Sequence, residues 1–217
     1  MAYDICIFDL DGTLLDPKEG IVKSYKYALE HFDIDENSEN LTKFIGPPLR
    51  QVFTEHYKFS EQDCEKAVER FRKYFADKGI LENTVYDGIF GLLEKVKLEG
   101  KTLLVATNKV TEYAKIILEH FGLLKYFDVV SGDDFDGTLS VNGKGKIIEN
   151  AMEFAEVKDK SKIAMIGDRK NDILGAKDVG IDSIGILWGY GSREELKTAG
   201  ATYIAKDVDE AFDIILK

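Results

Sequence analysis

The chain has 217 residues, 44% of them hydrophobic, which is enough for one domain of ordinary size with a substantial insertion and real buried cores. Lys and Arg total 29 against 40 Asp and Glu, and the resulting formal charge of -11 argues against a groove for a nucleic-acid polymer. Any anionic ligand must be small and met by a local cation, either a bound metal ion or one or two placed lysines.

No apolar run reaches the length of a membrane span, and the opening Met1-Ala2-Tyr3-Asp4 has no basic, signal-type character, so a cytoplasmic protein without a membrane partner is expected. Cys6 and Cys64 are far apart and are expected as two free thiols.

In chain order, Ile5-Cys6-Ile7-Phe8 reads as a buried strand and runs directly into Asp9-Leu10-Asp11-Gly12-Thr13-Leu14. Two carboxylates at i and i+2 past a strand end are expected to project from the same side of the chain. A divalent cation relieves their repulsion, and Mg²⁺ is the expected ion. The pattern then turns helical. Ile21, Val22, Tyr25, Ala28, Leu29 and Phe32 recur at helical spacing, as do Ala67, Val68, Phe71, Tyr74 and Phe75, and no strand interrupts Glu19 to Lys78. Between them, Pro47 and Pro48 break one helix and allow another to begin near Leu49.

From Val85 onward helices and strands alternate. The expected order is helix Gly88 to Leu98, strand Thr102 to Ala106, helix Val110 to His120, strand Phe127 to Val130 and helix Ile147 to Phe154. Strand Lys162 to Ile166, helix Asn171 to Asp178, strand Ser183 to Ile186, helix Arg193 to Ala199, strand Tyr203-Ile204 and helix Val208 to Leu216 complete it. Such alternation predicts a parallel sheet with helical crossovers. The isolated first strand needs that sheet as its partner. The expected fold is therefore an α/β core of residues 1–16 and 82–217 with a helical insertion of residues 17–81.

Open α/β sheets gather their ligands at the carboxyl ends of strands, which singles out three more groups. Thr107-Asn108 follows a strand and could hold an anion at the next helix start, although taken alone the pair reads better as a helix cap. Gly167-Asp168-Arg169-Lys170-Asn171-Asp172 puts Asp168 at a strand end and Asp172 in a first helical turn, where an acid is an ordinary dipole or capping residue. Asp168 would complete an oxygen-rich site with Asp9 and Asp11. Lys144 precedes a helix and could reach a phosphoryl oxygen, with Lys146 as its rival. Asp134-Phe135-Asp136-Gly137-Thr138-Leu139 nearly repeats the first motif, but Ser131-Gly132-Asp133 sets it off from its strand, so a surface turn or hairpin tip is expected there.

These residues resemble the haloacid dehalogenase superfamily, whose hallmark is Asp-x-Asp-Gly-Thr-Leu after the first strand, followed in order by Thr, Lys and Gly-Asp-x-x-x-Asp. The resemblance runs over the whole chain and implies a Rossmann-like parallel core with an α-helical cap, as in phosphoglycolate phosphatases and related 5'-nucleotidases. It also implies that Asp9 is the nucleophile, that Asp11 is the general acid and base, and that Lys144 offsets transition-state charge. Mg²⁺ would be held by the Asp9 carboxylate, the Asp11 backbone carbonyl and Asp168, with Asp172 ordering the metal site directly or through water, and the phosphoryl oxygens would be held by Thr107 and Asn108.

Many relatives carry prolines after the lysine, whereas Gly145-Lys146 follows Lys144 here. Arg50, beside the Gly46-Pro47-Pro48 turn, could meet a substrate carboxylate or phosphate. Tyr25, Phe44, Phe53 and Tyr57 could stack a base or simply form the cap core.

The implied activity is hydrolysis of a small phosphorylated metabolite by a monomer or homodimer, phosphoglycolate first and a nucleoside monophosphate as the alternative. A phospho-acceptor signalling module uses a similar residue set, but it needs no long helical insertion. A non-catalytic binding protein has little reason to keep Asp11, Asp168 and Lys144 together.

Overall fold

The structure, a computed structural model, describes residues 2–141 and 143–217. Strand β1 (Ile5–Phe8) and the short β2 (Leu15–Asp16) precede four helices, α1 (Lys18–Leu29), α2 (Ser38–Leu41), α3 (Leu49–Gln51) and α4 (Glu61–Asp77). Then come β3 (Thr84–Val85), α5 (Ile89–Leu98), β4 (Thr102–Val110), α6 (Thr111–His120), β5 (Val129–Asp133) and α7 (Gly145–Phe154). The chain ends with β6 (Ile163–Gly167), α8 (Lys170–Val179), β7 (Asp182–Ile186), α9 (Arg193–Ala199), β8 (Tyr203–Ala205) and α10 (Val208–Leu216). It divides into two compact units, Asp16–Thr84 and the remainder.

The larger unit is α/β. Among the described residues it holds one six-stranded sheet in the order β5-β4-β1-β6-β7-β8, and each adjacent pair is parallel. Parallel strands are covered by crossover helices on both faces, which explains why Cys6, Ile7 and Phe8 and the run Leu103 to Ala106 are wholly buried and uniformly apolar. Sheet order places β1 between β4 and β6, so chain direction switches sides at β1. The carboxyl ends of these three strands therefore lie together, where open α/β folds bind ligands.

Two local expectations are overturned. β4 runs on through Thr107 and Asn108 to Val110, and its pairing with β5 shifts register between Ala106 and Val110. The N-cap of α6 is Val110, so neither Thr107 nor Asn108 caps that helix. Likewise Ser131-Gly132-Asp133 is strand, not spacer: Ser131 pairs with Ala106 and Asp133 with Val110. Gly132 is required by close approach, since a Cβ there would collide with the Lys109 carbonyl. Asp134 to Thr138 does turn, with Thr138 N–H donating to Asp134 Oδ1 at 2.9 Å. No hairpin forms, because among the described residues the next strand is β6, which pairs elsewhere in the sheet.

The smaller unit is helical. Ser60 caps α4 by accepting from Asp63 N–H at 3.2 Å, and α4 buries Cys64, Ala67, Val68 and Phe75. Tyr25 and Phe53 are buried at its centre, edge-to-face at 5.7 Å, with Phe44 and Phe71 also against Tyr25. These two rings are core and are not presented to a base. Cys6 and Cys64 are both buried free thiols, and burial pushes the Cys6 thiol up to about 12. Among the described residues no helix is long and apolar enough to cross a membrane.

Candidate active site

The first acid follows the β1 ladder without a break. Asp9 N–H donates to the Ile166 carbonyl at 2.9 Å, so the parallel pairing with β6 continues one residue beyond Phe8. The Asp9 carboxylate accepts from Leu10 N–H at 2.7 Å. The chain then turns at Gly12, whose φ of +84° suits glycine. A Cβ there would also strike the Asp168 carboxylate, so the Asp-Gly step of the motif answers both to backbone conformation and to the acid after β6.

Asp9, Asp168 and Asp172, all buried, each bring a carboxylate oxygen within 4.8 Å of the others. Lys144 lies among them with its Nζ 2.7 Å from Asp9 Oδ1 and 2.5 Å from Asp172 Oδ1. Asp172 has the helix-terminal duty expected of it as well, accepting from Arg169 N–H at 2.9 Å. Lys146 lies at the surface near Glu149, at 3.4 Å. Of the two lysines, Lys144 is the one at the acids.

Three carboxylates against one ammonium leave an excess of buried negative charge. Desolvation first, then the neighbouring Asp172 and Asp9, pushes Asp168 up to about 8. Desolvation likewise pushes Asp172 up to about 6, while Lys144 pulls it down and Asp9 adds to the rise. Burial works against the charged form of Lys144, but the two acids outweigh it and hold the ammonium above its ordinary range. Asp168 Oδ2 accepts from Tyr190 N–H at 2.7 Å, whereas its buried Oδ1 has no hydrogen-bond partner. An orphaned carboxylate oxygen among two further acids is the donor set that a hard divalent cation takes.

Asp11 departs from expectation. Its side chain is not in the converging trio, and the third member is Asp172. The strand alternation behind the i, i+2 argument ends at Phe8. Asp11 lies beyond it in the turn, bridged to Leu15, with its Oδ2 2.9 Å from Lys109 Nζ. Its Oδ1 is buried without a hydrogen-bond partner.

Thr107 is buried at the end of the core part of β4 and accepts from Lys109 N–H at 3.2 Å. Arg50 belongs to the helical unit, where its guanidinium forms a two-pronged pair with Glu65, Nη2 to Oε2 at 3.0 Å. Sequence reasoning missed Lys109 and the Trp188-Gly189-Tyr190 turn. Trp188 Nε1 donates to the Thr13 carbonyl at 3.0 Å, and Tyr190 N–H holds Asp168. The Trp188-Gly189-Tyr190 turn follows the end of β7, the same signal that marked the other candidates, whereas Lys109 lies within the last residues of β4.

A family model described as haloacid dehalogenase-like hydrolase matches residues 6–186. The chain belongs to that family. Among its curated relatives in the haloacid dehalogenase-like family is a Pseudomonas aeruginosa protein named 5'-nucleotidase, 40% identical over 96% of this chain and 93% of the relative. A Vibrio parahaemolyticus phosphoglycolate phosphatase is 31% identical over 96% of this chain and 94% of its own. A solved structure described as a predicted phosphatase from Clostridium acetobutylicum superposes with a TM-score of 0.94 at 48% identity, covering 99% of each chain.

Proposed function

We propose that this haloacid dehalogenase-type phosphatase hydrolyses a small phosphate monoester through a phosphoryl-Asp9 intermediate, with Mg²⁺ held by Asp9, Asp168 and Asp172. The observation that carries the reading is the buried cluster of those three acids around Lys144, with Asp168 Oδ1 lacking a hydrogen-bond partner. A divalent cation bound there neutralises charge between an anionic nucleophile and an anionic phosphoryl group.

The residues divide the work in two displacements. A carboxylate oxygen of Asp9 attacks phosphorus, the phosphorus–oxygen ester bond breaks, and the departing alkoxide takes a proton from Asp11. Water then attacks the phosphorus of phosphoryl-Asp9, gives its proton to Asp11, and releases inorganic phosphate and the free carboxylate. Lys144 orients Asp9 before attack and offsets the charge that develops on the transferring group. Thr107 and Asn108 are the proposed donors to the phosphoryl oxygens.

Phosphoglycolate is the proposed substrate, supported by the 31% identical relative of that name. The 40% identical relative supports a nucleoside 5'-monophosphate as the second reading. A panel of phosphate monoesters assayed with Mg²⁺ and with EDTA tests both. Turnover that requires Mg²⁺ and is lost in Asp9→Asn is expected; turnover in EDTA, or by Asp9→Asn, overturns the reading.

A further inference from the structure

Lys109 is an unusual lysine. Its side chain is only 7% exposed, although lysines are almost never buried unless paired. Its backbone is fixed from two directions: its N–H donates to Thr107 Oγ1 at 3.2 Å, and its carbonyl lies against Gly132 so closely that no other residue fits there. The register shift between β4 and β5 falls in the same stretch. From this anchored position its Nζ reaches Asp11 Oδ2 at 2.9 Å.

We propose that Lys109 selects the substrate by binding an anionic group on the carbon next to the leaving oxygen. The inference rests on the phosphatase reading above, in which Asp11 meets that oxygen. Where the leaving oxygen shares the Oδ2 that Lys109 holds, two hydrogen-bond lengths put Nζ within about 6 Å of it. The carboxylate of a 2-phosphoglycolate-like ester is two carbons from that oxygen and falls within this reach. A substrate whose leaving oxygen bears an uncharged carbon chain or a sugar offers Lys109 no negative charge at that distance, at most a neutral acceptor. Lys109 is therefore the core-borne cation that reads a 2-phosphocarboxylate, the role that Arg50 was expected to serve from the helical unit.

The test compares two esters of matched size, 2-phosphoglycolate and ethyl phosphate, which differ in the carboxylate. Wild-type enzyme with Mg²⁺ is expected to prefer 2-phosphoglycolate in kcat/KM. Lys109→Met is expected to lose about 10- to 100-fold in kcat/KM on 2-phosphoglycolate, carried mainly by KM, which is the worth of one hydrogen bond to a charged group. Loss of the Asp11 pairing acts on both esters alike, so the ratio of kcat/KM on 2-phosphoglycolate to that on ethyl phosphate should fall about 10-fold or more in Lys109→Met, and Lys109→Arg should recover part of that ratio. Equal losses on both esters make Lys109 a positioning residue for Asp11 and overturn the proposal. So does a wild-type enzyme that handles the two esters equally, a comparison that does not depend on any variant folding, and in that case the phosphatase reading stands. Turnover of neither ester, nor of any other in the panel, overturns both.

Discussion

Replacing Lys144 by methionine isolates the charge balance on which the site depends. The ammonium lies 2.7 Å from Asp9 and 2.5 Å from Asp172, and all three side chains are buried. Methionine fills similar space but leaves the acids without that counter-charge. Breaking a buried ion pair from one side costs about 3–5 kcal/mol, because the abandoned charges remain in a poorly solvated place. For a protein of this size that is roughly 6–20 °C in melting temperature.

The loss depends on pH, and the sign follows from the shifts. Asp168 and Asp172 have folded values of about 8 and about 6, both above the ordinary 3.8. Each thus binds its proton more tightly in the folded state. Its contribution to stability is complete below about pH 4 and is lost as pH rises, first through the Asp172 value and then through that of Asp168. At about pH 5 Asp172, the Lys144 partner of the two, is largely protonated and misses the ammonium little; at about pH 8.5 it is charged, beside an Asp168 that has also lost its proton, and misses it most. Thermal melts followed by circular dichroism in EDTA at the two pH values should show a small gap between wild type and Lys144→Met in acid and a large one in base. Identical melting in base, or a gap that does not change with pH, refutes the reasoning.

Isothermal titration with Mg²⁺ should find affinity rising with pH as Asp168 and Asp172 release their protons, and falling about tenfold or more in Asp168→Asn, which removes a charged donor. Affinity unaffected by that substitution would move the ion elsewhere. In the helical unit, Phe53→Ala removes a buried ring from the aromatic centre and should cost about 3–5 kcal/mol in urea unfolding. Glu65→Gln, which breaks an ion pair with side chains 39% and 53% exposed, should cost less than about 1 kcal/mol. Comparable losses from the two would contradict this division between core packing and surface charge.

The sheet was legible because its central strands are buried on both faces and read as short apolar runs, three of which end at a polar step. Asp9, Thr107 and Asp168 announce themselves at those steps. The fate of Asp11 was not legible, since strand alternation says nothing about a turn, and only the folded chain shows that Lys109 lies beside it. Ser131-Gly132-Asp133 misled for a related reason. Glycine between polar residues is ordinary turn chemistry, yet this glycine serves a close crossing of two strands. Arg50 was visible as a charge near a tight turn, but its pairing with Glu65 depends on the packing of α3 against α4, which sequence spacing does not reveal. Trp188 and Tyr190 were overlooked because they act partly through the backbone: Tyr190 supplies an N–H to Asp168, and such a donor leaves no mark in side-chain chemistry.

The claim that Asp9 takes the phosphoryl group is tested most directly by quenching the enzyme in acid during turnover of its best ester and mapping the phosphorylated peptide by mass spectrometry. The account predicts one phosphoryl group on the Asp9 peptide, formed with Mg²⁺ and missing from Asp9→Asn. Turnover accompanied by a phosphoryl group on a different residue, or undiminished turnover by Asp9→Asn, would contradict it.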